Sequence, residues 1–338
     1  MKPVDVLIHY PLTEAHVKDL SALSPRVRIS FYPEGDFSEI PEDEVAKAEI
    51  LLTASDIPDP GAAPELRWIQ FSYAGIEFVK AHPILSREGF KATTLSGAAT
   101  PKVAEYALMV MLALGHKLPM MVQYQEKKIW PPDRIKRFQP SELRGSTVGM
   151  LGYGSIAREL ARLLQPFGVK ILATKNDLTQ LNQDGFVPEG TGDPNGEYFT
   201  RIYPPQATHS VLRESDFVVV SLPLTSQTKN VISTAEFEVM KPTAYLVAVG
   251  RGGQVDEDAL LIALREKKIA GAVLDVFDAE PLLPESLLWG APNLLITPHI
   301  AGDTRHYTDL VVELLKENLR RYLEGQELLN VFDLEKGY

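Results

Sequence analysis

Short apolar runs of strand length alternate with longer amphipathic segments through most of the chain. Runs that are apolar throughout are typical of parallel strands, because helices cover both faces of a parallel sheet. Strand and helix units joined by right-handed crossovers therefore predict an α/β fold. The predicted strands are Val4–Ile8, Val27–Phe31, Ile50–Thr53, Trp68–Phe71, Val148–Leu151, Lys170–Ala173, Phe217–Ser221, Tyr245–Val249, Gly271–Val276 and Leu294–Thr297.

Two series of these runs predict two doubly wound, Rossmann-like domains with mainly parallel sheets and a cleft between them. The 338 residues are also more than one core of common size requires. We expect residues 1–100 and 300–338 to form a substrate-binding domain and residues 101–299 to form a dinucleotide-binding domain. Closure at hinges near Thr100 and His299 would then exclude water during a reaction.

Three other segments differ from the alternation of short strands and helices: two long helical segments and one long polar segment. The segment from Pro101 to about Met121 is predicted to be strongly helical, with Thr100 as a candidate cap, and Thr304–Gly325 is predicted as an amphipathic helix that ends at its glycine. Residues 177–206 are rich in Gly, Pro, Asn and Asp and are too long for an ordinary connection. We expect an inserted surface loop there, with a lid or a subunit contact as the alternative.

Composition narrows the chemistry. The chain has no cysteine, which excludes disulfides, thiolate nucleophiles and cysteine-ligated metal sites, and no metal site is predicted. A formal net charge of -11 argues against nucleic acid or an anionic membrane as a partner. The first residues lack the pattern of a secretory signal, and the longest apolar stretch, Tyr106–Leu114, is too short to span a membrane. We therefore expect a soluble cytoplasmic protein.

A glycine-rich turn follows the strand at Val148–Leu151. Gly152, Gly154 and Ala157 form a G-x-G-x-x-A arrangement that opens a helical pattern. The first glycine permits a tight turn, the second lets the backbone approach a pyrophosphate, and the alanine lets the helix pack on the strand. The sequence predicts a dinucleotide site here, against the alternative of a plain strand-to-helix turn. The expected contacts are Gly152, Tyr153, Gly154, Ser155 and Ile156.

The next strand leads into Thr174, Lys175 and Asn176, where many dinucleotide-binding folds carry a carboxylate for the adenosine ribose. A cation in that place attracts a 2′-phosphate and removes repulsion from it. We therefore expect NAD(P) as the cofactor, with a preference for NADP(H). The alternatives are a solvated lysine and an Asp177 that turns back to the ribose.

Arg251, Glu280 and His299 each follow a predicted strand of the same sheet. Because the carboxyl ends of parallel strands meet at one edge, these side chains are expected to converge on one crevice. Singly, each would more often be a surface residue; the joint pattern carries the prediction. A guanidinium can hold a carboxylate with paired hydrogen bonds, an imidazole can donate a proton near neutral pH, and a carboxylate can orient that imidazole.

These residues predict hydride transfer to a 2-oxo acid. Arg251 would bind the substrate carboxylate, His299 would donate the proton, and Glu280 would orient His299 and favour its protonated form. Asp275, at the end of the preceding strand, is expected to bind the nicotinamide carboxamide or to act on the side of Arg251.

The segments AVGRGGQVDEDAL, LDVFDAEPL and TPHIAGDT, within the run from Ser221 to Thr304, resemble the D-isomer-specific 2-hydroxyacid dehydrogenase family. The resemblance extends to Trp130, to VAEYAL at Val103–Leu108 and to YAGIEF at Tyr73–Phe78. It implies an NAD(P)-dependent oxidoreductase that interconverts a 2-oxo acid and a D-2-hydroxy acid, with Arg251, Glu280 and His299 in the roles given above. Departures from the family pattern are Lys175, Ala248, Ala157 and the insertion at residues 177–206.

The resemblance also implies contacts with both ligands and a homodimer that pairs through the cofactor domains. The backbone at Ala74 and Gly75 would help Arg251 hold the carboxylate. Leu222, Pro223 and Leu224 would line the adenine, and Val249 and Asp275 would meet the nicotinamide. The predicted cofactor contacts of this group are Leu222, Pro223, Thr228, Val249, Asp275 and Gly302, and the predicted substrate contacts are Ala74 and Gly75. Tyr73 and Thr100 are further candidates for the substrate pocket, with a position in the core as the alternative on ordinary burial statistics.

Two other functions stay open at this point. The resemblance extends to transcriptional corepressors that bind the dinucleotide as a conformational sensor, which would make the chain a non-catalytic binding protein. The intact Arg, Glu and His argue against a purely non-catalytic role. A phosphite or formate oxidiser would keep the fold and change the substrate, and no residue pattern favours it.

Overall fold

The structure, a computed structural model, describes residues 2–79 and 81–335. Its contacts divide the chain into two compact units. The first unit comprises Met1–Ala99 and Thr304–Tyr338, and the second comprises Thr100–Asp303. Each unit contains a parallel sheet with helices between its strands, so the predicted α/β fold class is confirmed.

The sheet of the first unit has the strand order β2-β1-β3-β4-β5, and its pairs are parallel. The C-terminal helix α10 belongs to this unit, where buried Asn318 donates a hydrogen bond to Gln70 Oε1 at 3.1 Å. The strands are β1 Val4–His9, β2 Val27–Phe31, β3 Ile50–Thr53, β4 Trp68–Phe71 and β5 Lys91–Thr93, and the helices are α1 Glu14–Ser21, α2 Glu42–Lys47 and α10 Tyr307–Glu324.

The sheet of the second unit has the order β12-β11-β10-β9-β6-β7-β8, again with parallel pairs. The strand order reverses between β6 and β9, which is where open α/β sheets bind ligands beyond their carboxyl ends. The strands are β6 Thr147–Leu151, β7 Lys170–Thr174, β8 Arg201–Tyr203, β9 Phe217–Val220, β10 Tyr245–Ala248, β11 Gly271–Leu274 and β12 Leu294–Ile296.

Helices cover both faces of this second sheet, and successive residues of one strand enter different cores. Val247 of β10 lies in one apolar cluster, whereas its neighbours Leu246 and Ala248 lie in the other. Burial on both faces explains why the central strands are apolar throughout. The helices are α3 Thr100–Gly115, α4 Leu118–Glu126, α5 Arg134–Arg137, α6 Ser155–Leu164, α7 Thr208–Glu214, α8 Thr234–Val239 and α9 Glu257–Arg265.

The ten predicted strands are confirmed, with ends within two residues of those observed. Two short edge strands, β5 and β8, were not predicted. Each has three residues and includes a basic side chain, Lys91 or Arg201, so neither forms an apolar run. No helix among the described residues is long and apolar enough to cross a membrane.

The helical segment predicted from Pro101 to about Met121 is confirmed, but it consists of two helices. The structure breaks it into α3 and α4, with Lys117 in the left-handed conformation at φ 56° between them. Pro119, at the start of α4, has no N–H to donate to the preceding turn, which is why the helix restarts there. The C-terminal helix ends as predicted at Gly325, which is left-handed at φ 71°.

The surface loop predicted for residues 177–206 is only partly correct. Its last residues form β8, which pairs with β7, and within it Gly192 and Asp193 are buried. The polar composition that predicts a loop also serves here to satisfy buried hydrogen-bonding groups, which composition does not reveal.

Candidate active site

Three loops that carry the predicted catalytic residues leave one edge of the second sheet. Ala248 of β10 pairs with Leu274 of β11, and Leu274 pairs with Ile296 of β12, so these strands end level with one another. Arg251 follows β10, Glu280 follows β11 and His299 follows β12. The parallel register therefore places all three residues beyond one sheet edge.

His299 and Glu280 are in direct contact. His299 Nδ1 lies 2.7 Å from Glu280 Oε2, and the other carboxylate oxygen, Oε1, accepts the backbone N–H of Phe277 at 2.9 Å. A carboxylate partner places a proton on Nδ1, which leaves Nε2 as the nitrogen that can exchange a proton with a substrate. Both side chains are partly exposed, so the pair adds at most about 1 kcal/mol to stability and acts by orienting the ring.

The loop around His299 is held by Asp275. Its buried carboxylate accepts the backbone N–H of Ile300 at 3.1 Å and of Ala301 at 2.9 Å, and the hydroxyl of Thr297 at 2.7 Å. His299 itself has φ 51°, a left-handed conformation that a non-glycine residue adopts only when its surroundings enforce it. The structure thus assigns to Asp275 a positioning contact with the His299 loop, in addition to the contact expected with the nicotinamide.

Tyr106 of α3 extends this network. Its hydroxyl lies 2.5 Å from the hydroxyl of Thr297, which in turn donates to Asp275. Burial raises the pKa of Tyr106 to about 12, with a smaller contribution from the charge of Asp275. Tyr106 therefore remains a neutral phenol at physiological pH and serves as a hydrogen-bonding group.

The Arg251 loop packs tightly against the loop that leads to Glu280. A Cβ atom on Gly252 would lie 1.8 Å from the carbonyl oxygen of Phe277, so only glycine permits this approach. The buried Gln254 accepts the backbone N–H of Arg251 at 3.2 Å and donates to the carbonyl of Leu222. Arg251 Nη1 donates to the carbonyl of Gly250 at 2.8 Å.

The glycine-rich turn fits a pyrophosphate. Gly152 is left-handed at φ 89°, and a Cβ atom there would lie 2.7 Å from Leu222. Gly154 is the N-cap of α6, provides no side-chain cap and, within the described residues, has no atom within 4 Å of where a Cβ would be. The space beside Gly154 lets a pyrophosphate approach the backbone, and the first N–H groups of α6, which have no side-chain cap, suit an anionic group. Thr174 fixes the turn by accepting the N–H of Gly152 on its hydroxyl at 3.0 Å.

Tyr153, one of the predicted cofactor contacts, cannot contact a cofactor through its side chain. This side chain is buried, and its hydroxyl donates to Asp193 at 2.7 Å, so only the backbone of Tyr153 can face a ligand.

The two candidate residues for the adenosine ribose follow β7. Lys175 lies beside Arg158, and its pKa is lowered by burial and by that guanidinium. Asp177, the alternative ribose partner, accepts the backbone N–H and the hydroxyl of Thr179 on one oxygen.

The other predicted contacts lie in both units. Thr228 donates its hydroxyl to the carbonyl of Pro223 at 2.6 Å, which closes the turn after β9. In the first unit, the exposed Tyr73 accepts the N–H of Leu95 on its carbonyl. The remaining predicted residues are Ser155 and Ile156 in α6, the exposed Asn176 after β7, the half-buried Leu222, the buried Val249 after β10, Gly302 after the His299 loop, Ala74 and Gly75 after β4, and the buried Thr100 at the start of α3.

Sequence reasoning missed Gln254, Thr297 and the hydroxyl of Tyr106 as parts of this site. Each bonds to a group in another segment of the chain, Leu222, Asp275 or Thr297. Gln254 and Thr297 lie inside the quoted motifs RGGQVD and TPHIA. Their position beside Arg251 and His299 was therefore the available signal. No cluster of three or more potential metal-ligating side chains occurs in the described part of the chain.

Comparisons with known proteins find relatives over most of the chain. Residues 108–301 match the family model described as D-isomer specific 2-hydroxyacid dehydrogenase, NAD binding domain. The chain is 34% identical over 306 residues to glyoxylate reductase from Thermofilum pendens, an alignment that covers 87% of this chain and 85% of that protein.

Solved structures are similar over nearly the whole chain. A D-isomer specific 2-hydroxyacid dehydrogenase family protein from Aeromonas salmonicida is 30% identical with a TM-score of 0.79, covering 98% of this chain and 100% of that one. A D-isomer specific 2-hydroxyacid dehydrogenase from Xanthobacter autotrophicus, in complex with NADPH and MES, is 25% identical with a TM-score of 0.79 and covers 100% of both chains.

Proposed function

The chain belongs to the D-isomer-specific 2-hydroxyacid dehydrogenase family, and from that premise we propose that His299 is its general acid, with Glu280 as orienting partner and Arg251 as the carboxylate-binding residue. The family makes the chain an NAD(P)-dependent oxidoreductase that interconverts 2-oxo and D-2-hydroxy acids. Because its relatives include glyoxylate reductases, the alternative of a non-catalytic corepressor is not favoured.

The contact between His299 Nδ1 and Glu280 Oε2 carries the proposed roles. In the reductive direction, Nε2 of His299 gives its proton to the carbonyl oxygen, and the carboxylate of Glu280 stabilises the positive charge of the ring before that transfer. When bound, the reduced nicotinamide supplies the hydride that joins the carbonyl carbon. Arg251 holds the acid group of the substrate and draws electron density from the neighbouring carbonyl.

A steady-state panel tests this function and narrows the substrate. Glyoxylate, hydroxypyruvate, pyruvate and branched 2-oxo acids are each offered with NADPH and with NADH, and dinucleotide oxidation is followed by absorbance. We expect turnover of at least one small 2-oxo acid. Glyoxylate is the first candidate, because several relatives of the chain are glyoxylate reductases. Absence of turnover with every acid in the panel would contradict the proposal.

The preference for NADP(H) is the finer part of the proposal. Lys175 lies directly after β7, and its backbone N–H is held by the carbonyl of Tyr203 at 2.9 Å, so its position at the strand end is fixed. The Xanthobacter autotrophicus relative was solved with NADPH, which supports the same preference here. A cytoplasmic location stays a prediction from the sequence.

We further propose that two copies of the chain pair through the second unit, at the arm formed by residues 117–140. Exposed apolar side chains are concentrated in this arm, and Trp130 is 82% exposed. A groove of about 1180 Å³ in the same arm is lined by four of them, Met121, Ile129, Trp130 and Ile135, together with other residues of the arm. The exposed set is Leu118, Met121, Val122, Ile129, Trp130 and Ile135.

The charge of the arm indicates a second copy as the occupant. The arm has six basic residues and two acidic residues, although the whole chain has a net charge of -11. A second copy therefore offers acidic surface to a basic, apolar arm. A concentrated apolar surface of this kind is typical of a subunit interface, and homodimers are the commonest assemblies.

A further inference from the structure

Residues 177–200, here called the extension, form a folded element between β7 and β8. Asp193 is 1% exposed and donates its N–H to Gln183 Oε1 at 3.0 Å, while Gln183 donates its N–H to the carbonyl of Pro194. The carboxylate of Asp193 also accepts the N–H groups of Glu197 and Tyr198. These bonds fix the conformation of the extension around Asp193, so it differs from a loop held only at its ends.

The extension is bonded to the glycine-rich turn itself. The hydroxyl of Tyr153, the residue between Gly152 and Gly154, donates to Asp193 Oδ2 at 2.7 Å. The Tyr153 ring packs edge-on against Phe199, with ring centroids 5.2 Å apart, and the Arg158 guanidinium lies over the same Tyr153 ring, 5.0 Å from its centroid. Burial and the hydrogen bond to Asp193 raise the pKa of Tyr153, so its hydroxyl keeps the proton that this bond needs.

A second set of bonds joins the extension to the first turns of α6. Arg158 Nη1 donates to the carbonyl of Asp193 at 2.6 Å, and Nη2 donates to the carbonyl of Leu181 at 2.7 Å. The neighbouring Glu159 accepts the N–H of Gly192 at 2.6 Å and pairs with Arg162. Arg158 and Glu159 are each 2% exposed.

Buried charges of this kind define one geometry more than they add stability, because their desolvation offsets most of their attraction. Each charged group here has partners: Arg158 has two carbonyls, Glu159 has Arg162 and Gly192, and Asp193 has the Tyr153 hydroxyl and two N–H groups. The extension is therefore fixed in position relative to α6 and to the turn.

This arrangement bears on dinucleotide binding because of the composition of the turn. Gly152 and Gly154 have no side chains to restrain them, so Tyr153 is the residue of the three that can anchor the turn through a side chain. Thr174 holds the backbone of Gly152 and Tyr153 from the side of β7, and Asp193 holds the side chain of Tyr153 from the extension. A turn restrained on both sides loses less conformational freedom when a pyrophosphate binds.

We propose that the extension is a brace that preorganises the dinucleotide-binding turn, with Tyr153 and Asp193 as positioning residues for cofactor affinity. It acts without contacting the cofactor through either side chain. The inference rests on the proposed dinucleotide role of the turn. The dinucleotide affinity of the wild-type protein tells failure of that role apart from failure of the brace.

The test uses Tyr153→Phe, which removes one hydroxyl and keeps the ring packing, and Asp193→Asn, which removes the charge from the other side of the same bond. Tyr322→Phe in α10 is the matched control, because it also removes a tyrosine hydroxyl that donates to a carboxylate, that of Glu49 at 2.6 Å, but within the first unit. Affinities for NADPH and NADH are measured by calorimetric titration. Hydrogen–deuterium exchange is measured at residues 152–157 of the protein without cofactor.

We expect Tyr153→Phe and Asp193→Asn each to raise the Kd of the dinucleotide about tenfold, with faster exchange at the turn. The control keeps wild-type values. Wild-type affinity and exchange at the turn in both variants, even with a lower Tm, would overturn the brace and leave a stabilising role. A wild-type protein that binds neither dinucleotide would instead overturn the proposed function.

Discussion

The carboxylate of Asp275 accepts the backbone N–H of Ala301 at 2.9 Å, two residues beyond His299 in the chain. The same carboxylate accepts the N–H of Ile300. The direction of the His299 imidazole therefore depends on a residue that was expected to act on the nicotinamide. The two roles are compatible, because an ionised carboxylate has about four acceptor positions.

Asp275→Asn should lower kcat by about tenfold or more, because an amide replaces an acceptor for two N–H groups and an unsatisfied buried N–H costs roughly 1–3 kcal/mol. The effect would be read as a fall in kcat at saturating 2-oxo acid, with circular dichroism to confirm the fold. Asp258→Asn, an exposed carboxylate at the start of α9, is the control. Equal kcat values for the two variants would argue against positioning by Asp275.

His299→Ala should lower kcat by about 10²- to 10⁴-fold, the usual contribution of a general acid. Glu280→Gln should cause a smaller loss, since the imidazole remains and loses only its charged partner. Dinucleotide affinity should change little in either variant, which calorimetric titration would check. His306→Ala is the control, because His306 is an exposed histidine that pairs with Asp309. Normal turnover in His299→Ala would remove the proposed general acid.

Arg251→Ala should chiefly impair use of the oxo acid, with kcat/KM reduced by about a hundredfold or more, because a charge-assisted bidentate contact is lost. Arg251→Lys should recover only part of the loss, since an ammonium group does not reproduce the planar fork. Both are measured as kcat/KM for the best acid of the panel. An unchanged KM for the acid in both variants would place the carboxylate elsewhere.

Lys175 should make NADPH binding sensitive to alkaline pH. Its pKa is lowered by burial and by Arg158, so it loses its charge at a lower pH than an ordinary lysine. As pH rises through that lowered pKa, attraction to the 2′-phosphate disappears and the KM for NADPH rises, whereas the KM for NADH stays level. Lys175→Arg should abolish this rise and Lys175→Asp should shift the preference to NADH. If neither substitution nor the pH change alters the ratio of kcat/KM for NADPH to that for NADH, Lys175 does not recognise the 2′-phosphate.

The proposed homodimer should dissociate when charge is placed in the arm. Trp130→Asp and Ile135→Asp each replace an exposed apolar side chain of the arm with a carboxylate. Sedimentation velocity should then detect a monomer. Ile262→Asp, at an exposed isoleucine of α9, controls for the loss of a surface hydrophobic residue. A wild-type protein that sediments as a monomer at all concentrations would contradict pairing through the arm.

The sequence by itself determined the central strands, the glycine-rich turn and the candidate residues at the strand ends. A parallel strand that is buried on both faces must be apolar along its length, so β9 and β10 could be located from their composition alone. The G-x-G-x-x-A spacing likewise reports a local conformation, because the backbone at Gly152 must be left-handed and the residue at Ala157 must be small.

The tertiary structure alone decided the contacts between distant segments. Asp193 lies 40 residues beyond Tyr153, and Asp275 lies 25 to 26 residues before the N–H groups that it accepts. A polar side chain in a Gly- and Pro-rich segment has the same sequence signal whether water or a buried tyrosine is its partner. Hydrogen bonds depend on position in space, and only the folded sheet brings these partners to distances of 2.7 to 3.1 Å. The brace and the support of His299 follow from that proximity.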